Sequence, residues 1–328
     1  MAAPSDDGGL RQFLLQRSIQ TLCYQYRGCR DSATAQWISE RSGVDEMLHG
    51  IDGLPVDWRR WLGEMLASPE EELVVESVLK QHRGLSSNNP FLQPKPMTMI
   101  YNVQPADVAE RIIQTALQLA IEWREDLSKL EAETEAVWRV RRASVLDDDT
   151  EVRETLPAFS ADPEGDGGDT PFRVGNWDLL QALATRQAVK ACLASLATSK
   201  SGGAAHGLLA KYCEESGGGS MFEGELRKQS AVDFVSGLLD LPVTLRMGIG
   251  GGGDASSSAS ADTASPTLVD PRTVCEELLE WRVMVANQWV EQLEEIPAEL
   301  IQVKRDHIEN ALKGASGGGT SEDQAPQG

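Results

Sequence analysis

The chain has 328 residues, with 30 Lys and Arg against 51 Asp and Glu and a net charge of -21. A length prior of about 150 residues per domain gives about two domains, long enough together to bury a large core. The charge repels phosphate backbones and anionic lipid, so it argues against nucleic acid and membrane surfaces as partners.

Other compositional signals point the same way. No apolar run approaches the roughly 18 residues needed to span a bilayer, and the first ten residues carry Asp6 and Asp7 without a basic n-region. The expected location is cytoplasmic, with an organelle lumen after loss of a transit peptide as the other compartment. The cysteines Cys23, Cys29, Cys192, Cys213 and Cys275 are odd in number and form no CxxC pair, which reads as free, mostly buried thiols.

Residues 1–9 are small and polar and read as a disordered N-terminus. A first helical repeat is expected over residues 10–146. It opens with an apolar helix-period segment around Leu14-Leu15-Gln16, followed by a loop between the sequences Glu40-Arg41-Ser42-Gly43 and Met47-Leu48-His49-Gly50. Gly at both ends of that loop marks a helix end and a tight turn. Next come Trp58, Arg59, Arg60 and Trp61. Their alternation of aromatic and Arg is of the kind enriched at protein interfaces, although packing alone explains tryptophans at this spacing.

Residues 84–104 then read as an ordered, extended arm, with Asn88, Asn89 and Phe91 near its start and a short strand over residues 97–103. Pro105 and Asp107 suit a helix first turn. From there Ile113, Ala116, Ala120, Trp123, Leu127, Leu130, Thr134 and Val137 recur at three- and four-residue steps. That spacing is a coiled-coil-like packing seam, and it predicts an unbroken helix over residues 105–142, about 57 Å long.

Arg139, Arg141 and Arg142 are followed by Asp147, Asp148 and Asp149, the pattern of a solvated helix end. Arg141-Arg142-Ala143-Ser144 has the form that basophilic kinases read, which makes Ser144 a candidate phosphosite. A phosphate there would face the aspartates and disfavour local order. Residues 147–174 form an acidic, Gly-rich linker. Within it Asp162, Glu164, Asp166 and Gly167 imitate the start of a calcium loop, but Arg173 occupies the twelfth position, where a bidentate Glu belongs.

A second helical repeat is expected over residues 175–313, with a disordered Gly/Ser insert at residues 247–270 and a disordered tail at 314–328. Pro297 is expected to end or kink its long helix and restart one toward Leu312. The basis for calling it a repeat is a gapless match of residues 104–133 to 270–299. Nine positions are identical there, among them Pro105/Pro271, Val108/Val274, Ala120/Ala286, Trp123/Trp289 and Leu127/Leu293. Leu179-Leu180-Gln181 answers Leu14-Leu15-Gln16, and Phe234, Leu238, Leu239 and Pro242 answer Trp61, Met65, Leu66 and Pro69 after a one-residue slip. The fold class read from this is all-α: two homologous helical halves whose long amphipathic helices pack in a bundle, joined by disordered linkers.

Candidate chemistry is sparse. His49, His82, His206 and His307 stand at no metal-ligand spacing with one another or with cysteine. Residues 248–253 lack the Lys-Ser/Thr of a phosphate loop. No catalytic residue, cofactor or metal set is therefore assigned, and nothing sets an oligomeric state. The leading expectation is a non-enzymatic acidic scaffold that binds another protein through helix grooves, using Trp58, Arg59, Arg60 and Trp61 and the arm at Asn88, Asn89 and Phe91. The alternative is an enzyme or small-molecule carrier with its pocket between the helical halves, where the arm and the loop near His49 would supply polar groups.

Overall fold

The structure is a computed structural model that describes residues 9–44, 57–78, 96–132, 134–135, 170–199, 202–215, 231–247 and 266–317. The described residues are mostly helical. In chain order the elements are α1 (Gly9–Gly28), α2 (Ser32–Ser42), α3 (Trp58–Ala67), β1 (Glu71–Val78), β2 (Pro96–Val103), α4 (Pro105–Ser128), α5 (Arg173–Thr198), α6 (Gly203–Glu215), α7 (Ala231–Leu239), β3 (Thr244–Met247), β4 (Pro266–Val269) and α8 (Pro271–Gly317). No described helix is long and apolar enough to cross a membrane.

The chain divides into two compact units, and the division does not follow chain order. One comprises Arg11–Leu48, Leu54–Leu117 and Ile296–Gly328; the other comprises Met1–Leu10, His49–Gly53 and Gln118–Glu295. Each of the two long helices, α4 and α8, contributes one part to each unit.

In the unit built on α1 to α3, burial follows helix periodicity. Ala35, Trp37 and Ile38 are buried on α2, as are Trp58, Trp61, Leu62, Met65 and Leu66 on α3, Val108, Ile112, Ile113 and Ala116 on α4, and Ile296, Leu300 and Val303 on α8. Each fully buried side chain of this size contributes roughly 1.5–3 kcal/mol. α1 departs from the pattern, because every residue from Phe13 to Cys23 is buried, including Gln16, Arg17, Ser18, Gln20 and Thr21. Such polar groups must bond inside the protein: Arg17 donates to the Gln20 side chain at 2.8 Å and the Ser18 hydroxyl to the Leu14 carbonyl at 2.7 Å. Burial draws the Arg17 guanidinium down to about 10.

The caps in this unit are legible residue by residue. Asp31 accepts from the Thr34 backbone N–H at the start of α2. Gly43, at φ 68°, ends α2 by sending its N–H to the Ser39 carbonyl, a left-handed cap that glycine adopts without steric cost. Asp57 accepts from the Arg59 N–H at the start of α3.

The expected strand near residues 97–103 is present as β2. It pairs antiparallel with β1 in the register Glu71↔Val103 through Val74↔Ile100 to Val78↔Pro96. β1 extends the strand content beyond the expected arm; its signal is the Leu73-Val74-Val75 run. Glu71 ties it to α2, accepting from Trp37 Nε1 at 2.8 Å and pairing with Arg41.

The other unit has a core of Ala188, Val189, Cys192 and Leu196 on α5, Leu208, Leu209 and Tyr212 on α6, Phe234, Val235, Leu238 and Leu239 on α7, Val269 on β4, and Val274, Cys275, Leu278 and Trp281 on α8. The Tyr212 ring lies 5.0 Å from that of Phe234, and its hydroxyl donates to the Phe234 carbonyl at 2.8 Å. Trp123 and Trp289 are 1% and 2% exposed, so both are packing residues. Thr170 donates its N–H to Glu122 at 3.0 Å, and Arg173 pairs with Asp126 at 3.1 Å.

Four expectations about elements need correction. α4 is interrupted at Lys129 instead of running on unbroken from Ser128, and residues 136–142 of the expected helix lie outside the described residues. At the interruption the Ser128 hydroxyl donates back to the Glu125 carbonyl at 2.6 Å, and the Lys129 N–H reaches the Asp126 carbonyl, three residues back instead of four. Residues 130–132 are helical again. Pro297, conversely, lies inside the 47-residue α8 and does not end it. The proline costs about 3 kcal/mol, which burial of Ile296, Leu300 and Val303 around it offsets. Residues 266–269, assigned to a disordered insert, form β4, paired Thr244↔Val269 to Met247↔Pro266. The β-branched Thr267 and Val269 favour a strand there. Residues 314–317, assigned to a disordered tail, belong to α8.

Candidate functional site

The site begins with the way α3 partitions its residues. Trp58, Trp61, Leu62, Met65 and Leu66 take one face and are buried, so Arg59, Arg60, Gly63, Glu64 and Ala67 are left together on the other. On α8 the buried Ile296, Leu300 and Val303 similarly leave Ala298, Glu299, Gln302, Asp306, His307 and Asn310 at four-residue steps along a neighbouring face. These two stripes line an open groove of about 700 Å3, contained within one unit. The α8 stripe from Ala298 to Asn310 is about 18 Å long and the α3 stripe about 12 Å. Gly63, Ala67 and Ala298 present almost no side chain, so the groove is wide where they lie. No atom stands within 4 Å of the place a Cβ would take on Gly63.

A charge cluster fixes one wall. Glu299 accepts from Arg11 Nε at 3.1 Å and Nη2 at 2.9 Å, and its Oε1 also pairs with Arg59 Nη2 at 3.1 Å. A carboxylate held in this fork by one guanidinium and touched by a second is oriented strongly. The Arg59 guanidinium lies 5.2 Å from the centre of the Trp58 ring. Arg60 pairs with Glu64 one turn on at 2.8 Å, and the hydrogen bond and charge of that carboxylate hold its guanidinium above the ordinary value. Gln302 donates to Asp306 at 2.7 Å, and Lys304 pairs with Glu110 of α4, anchoring α8 from another side.

The groove offers guanidiniums, carboxylates, amides and the half-buried His307 imidazole along two stripes of residues. Its lining contains no Ser, Thr, Cys or Tyr nucleophile. Among the described residues no group of three His, Cys, Asp or Glu is placed to hold a metal ion.

The structure separates the four residues of the Trp-Arg-Arg-Trp segment. Trp58 and Trp61 are each 7% exposed, so they are core anchors of α3 and form no exposed aromatic surface. The apolar period of α3 turns them inward. Arg59 and Arg60 are exposed and line the groove. Asn88, Asn89, Phe91, Ser144 and the loop at His49 lie outside the described residues, as do Asp162, Glu164, Asp166 and Gly167. The α8 wall is absent from the sequence-derived site; its signal is Ala298, Gln302, Asp306 and Asn310 at four-residue steps, obscured by Pro297 just before them. Comparison with known proteins finds no matching family model, no matching curated protein and no matching solved structure.

Proposed function

We propose that this chain is a non-enzymatic, acidic scaffold of the cytoplasm that binds another protein by receiving a basic amphipathic helix in the groove between α3 and α8. The observation that carries the reading is the groove's form: two helical stripes with small residues at Gly63, Ala67 and Ala298 and paired charges along the rim. Small residues let a third helix approach, and its flanks then meet Glu64, Asp306 and the Arg59–Glu299 pair. A net charge of -21 steers a basic partner toward the chain.

The architecture is further proposed to be two copies of one helical unit. Supporting this, the order helix, helix, helix, strand, strand, long helix runs through α1 to α4 and again through α5 to α8. Both long helices start at a proline two residues after a strand. The latter part of each long helix belongs to the unit formed by the other series, so the two series share this feature too.

The test is affinity purification with mass spectrometry on the full chain beside Gly63→Trp, run with a thermal-shift screen of metabolites. A partner held by the parent chain and lost from the folded variant is the expected result. No stable partner together with a large metabolite shift would favour the carrier reading.

A further inference from the structure

The sheet of β1 and β2 has two strands, and among the described residues no third strand pairs with either outer edge. An isolated two-stranded ribbon of this length is marginal unless packing or another strand supports it. Its two edges differ in chemistry. β1 carries Glu71, Glu72 and Glu76, whereas β2 is eight residues long without a single charge, PMTMIYNV. Charged side chains are the usual guard against strand addition, so β1 is guarded and β2 is not. β2 is also uncovered: none of the residues from Thr98 to Asn102 is buried, and Ile100 is 65% exposed.

We propose that the occupant of this edge is β2 of a second copy of the chain, paired antiparallel about a two-fold axis at Ile100 to make a four-stranded sheet. The sequence of β2 is self-complementary in that register. Ile100 faces its own counterpart, Thr98 faces Asn102 and Met99 faces Tyr101. These are an aliphatic pair, a hydroxyl–amide pair and a thioether–aromatic pair, each favourable across neighbouring strands. Because Val74 stands opposite Ile100 within the copy, the pairing also makes an unbroken row of Val74, Ile100, Ile100 and Val74 across the joined sheet. Charge selects the same edge. Two copies at -21 each repel, and an uncharged strand is where their backbones can meet, while pairing through β1 would set glutamates side by side. Such a contact is isologous and closes as a dimer, leaving the glutamate-guarded edges outermost.

Sedimentation equilibrium on the full chain across a concentration series tests this. The expected mass is twice the 35.7 kDa of one chain, falling to one chain in Ile100→Lys, which sets two like charges face to face at the axis. Val74→Lys, one strand further out, is expected to keep the dimer, and circular dichroism checks that both variants are folded. If Ile100→Lys does not fold, Ile100→Cys in a Cys29→Ser background replaces it. Oxidised glutathione should then link the two chains through a single disulfide, taking up the two electrons and releasing two reduced glutathiones. A single-chain mass at every concentration overturns the proposal, as does a dimer that survives Ile100→Lys or an Ile100→Cys chain that gives no covalent dimer.

Discussion

Two glycines in helices of similar length make opposite predictions. Gly63 has open space where a Cβ would stand, so Gly63→Ala gains helix propensity without a clash and should stabilise the chain by about 0.5–1 kcal/mol. At Gly237 a Cβ would lie 2.5 Å from the Tyr212 hydroxyl, which is buried and donates to the Phe234 carbonyl. The same propensity gain is then outweighed by a displaced hydrogen bond, about 0.5–1.5 kcal/mol, and by overpacking of about 1–3 kcal/mol. Gly237→Ala should therefore be net destabilising by about 1 kcal/mol or more. Urea unfolding of the two variants beside the parent chain checks both signs.

The thiols carry a second residue-scale prediction. Burial, reinforced by neighbouring acids, pushes Cys192 and Cys275 from 9.0 to about 12 and Cys213 to about 11. Between pH 9 and about 12 the folded chain thus keeps protons that the unfolded chain has lost, so their contribution to stability falls as pH rises through that window and is level below it. Cys275→Ala should make the alkaline loss shallower than in the parent chain. At neutral pH a thiol reagent should label exposed Cys29 well before the buried cysteines.

Among the elements, the two long helices show where sequence periodicity speaks and where it is silent. The seam from Ile113 to Leu130 is buried throughout, as are Leu279, Ala286, Trp289, Leu293 and Ile296, because a repeat near 3.6 residues can bury a stripe only as a helix. Helix ends were less legible. α4 is interrupted after Ser128 through a local hydroxyl-to-carbonyl bond and a shortened turn at Lys129, next to an Asp126 engaged by Arg173. Sequence spacing cannot register an ion pair with a residue 47 positions away. α8 continues through Pro297 because burial on both sides of it outweighs the local cost for which the sequence reads as ending or kinking the helix there. The strands β1, β3 and β4 are hard to read in the sequence for a related reason, since four to eight residues form a strand only where a partner strand is available. Likewise the groove takes Arg59 and Arg60 from a segment visible in sequence, but its second wall lies 240 residues away on the part of α8 that Pro297 masks.

That account of α8 makes a direct prediction. Pro297→Ala restores a backbone donor and removes a ring from an exposed position in a continuous helix, so it should raise stability by about 1–3 kcal/mol with no loss of helical circular dichroism. A loss of stability would mean that the proline sets a bend the surrounding packing requires.

At the scale of the whole molecule, the long helices supply parts to both units, so neither unit is a contiguous piece of chain. The walls of the α3–α8 groove come from distant parts of the sequence, and Arg11 and Arg59 clamp on Glu299. Losing the clamp should widen the groove without unfolding the unit, since Glu299 is a helix-face residue whose neighbours Ile296, Leu300 and Val303 remain buried. On the proposed function, the acidic charge would favour the approach of a basic partner, and the groove would select the helix that stays.

The central claim is that this groove holds a helix of another protein. It is tested most directly by replacing Ala67, which lines the groove and is exposed, with a benzophenone-bearing amino acid and irradiating living cells. The account predicts one covalent adduct, mapping by mass spectrometry to a basic amphipathic helix of a single partner and lost when Gly63→Trp is added. No protein adduct from position 67, or an adduct undiminished by Gly63→Trp, would contradict it.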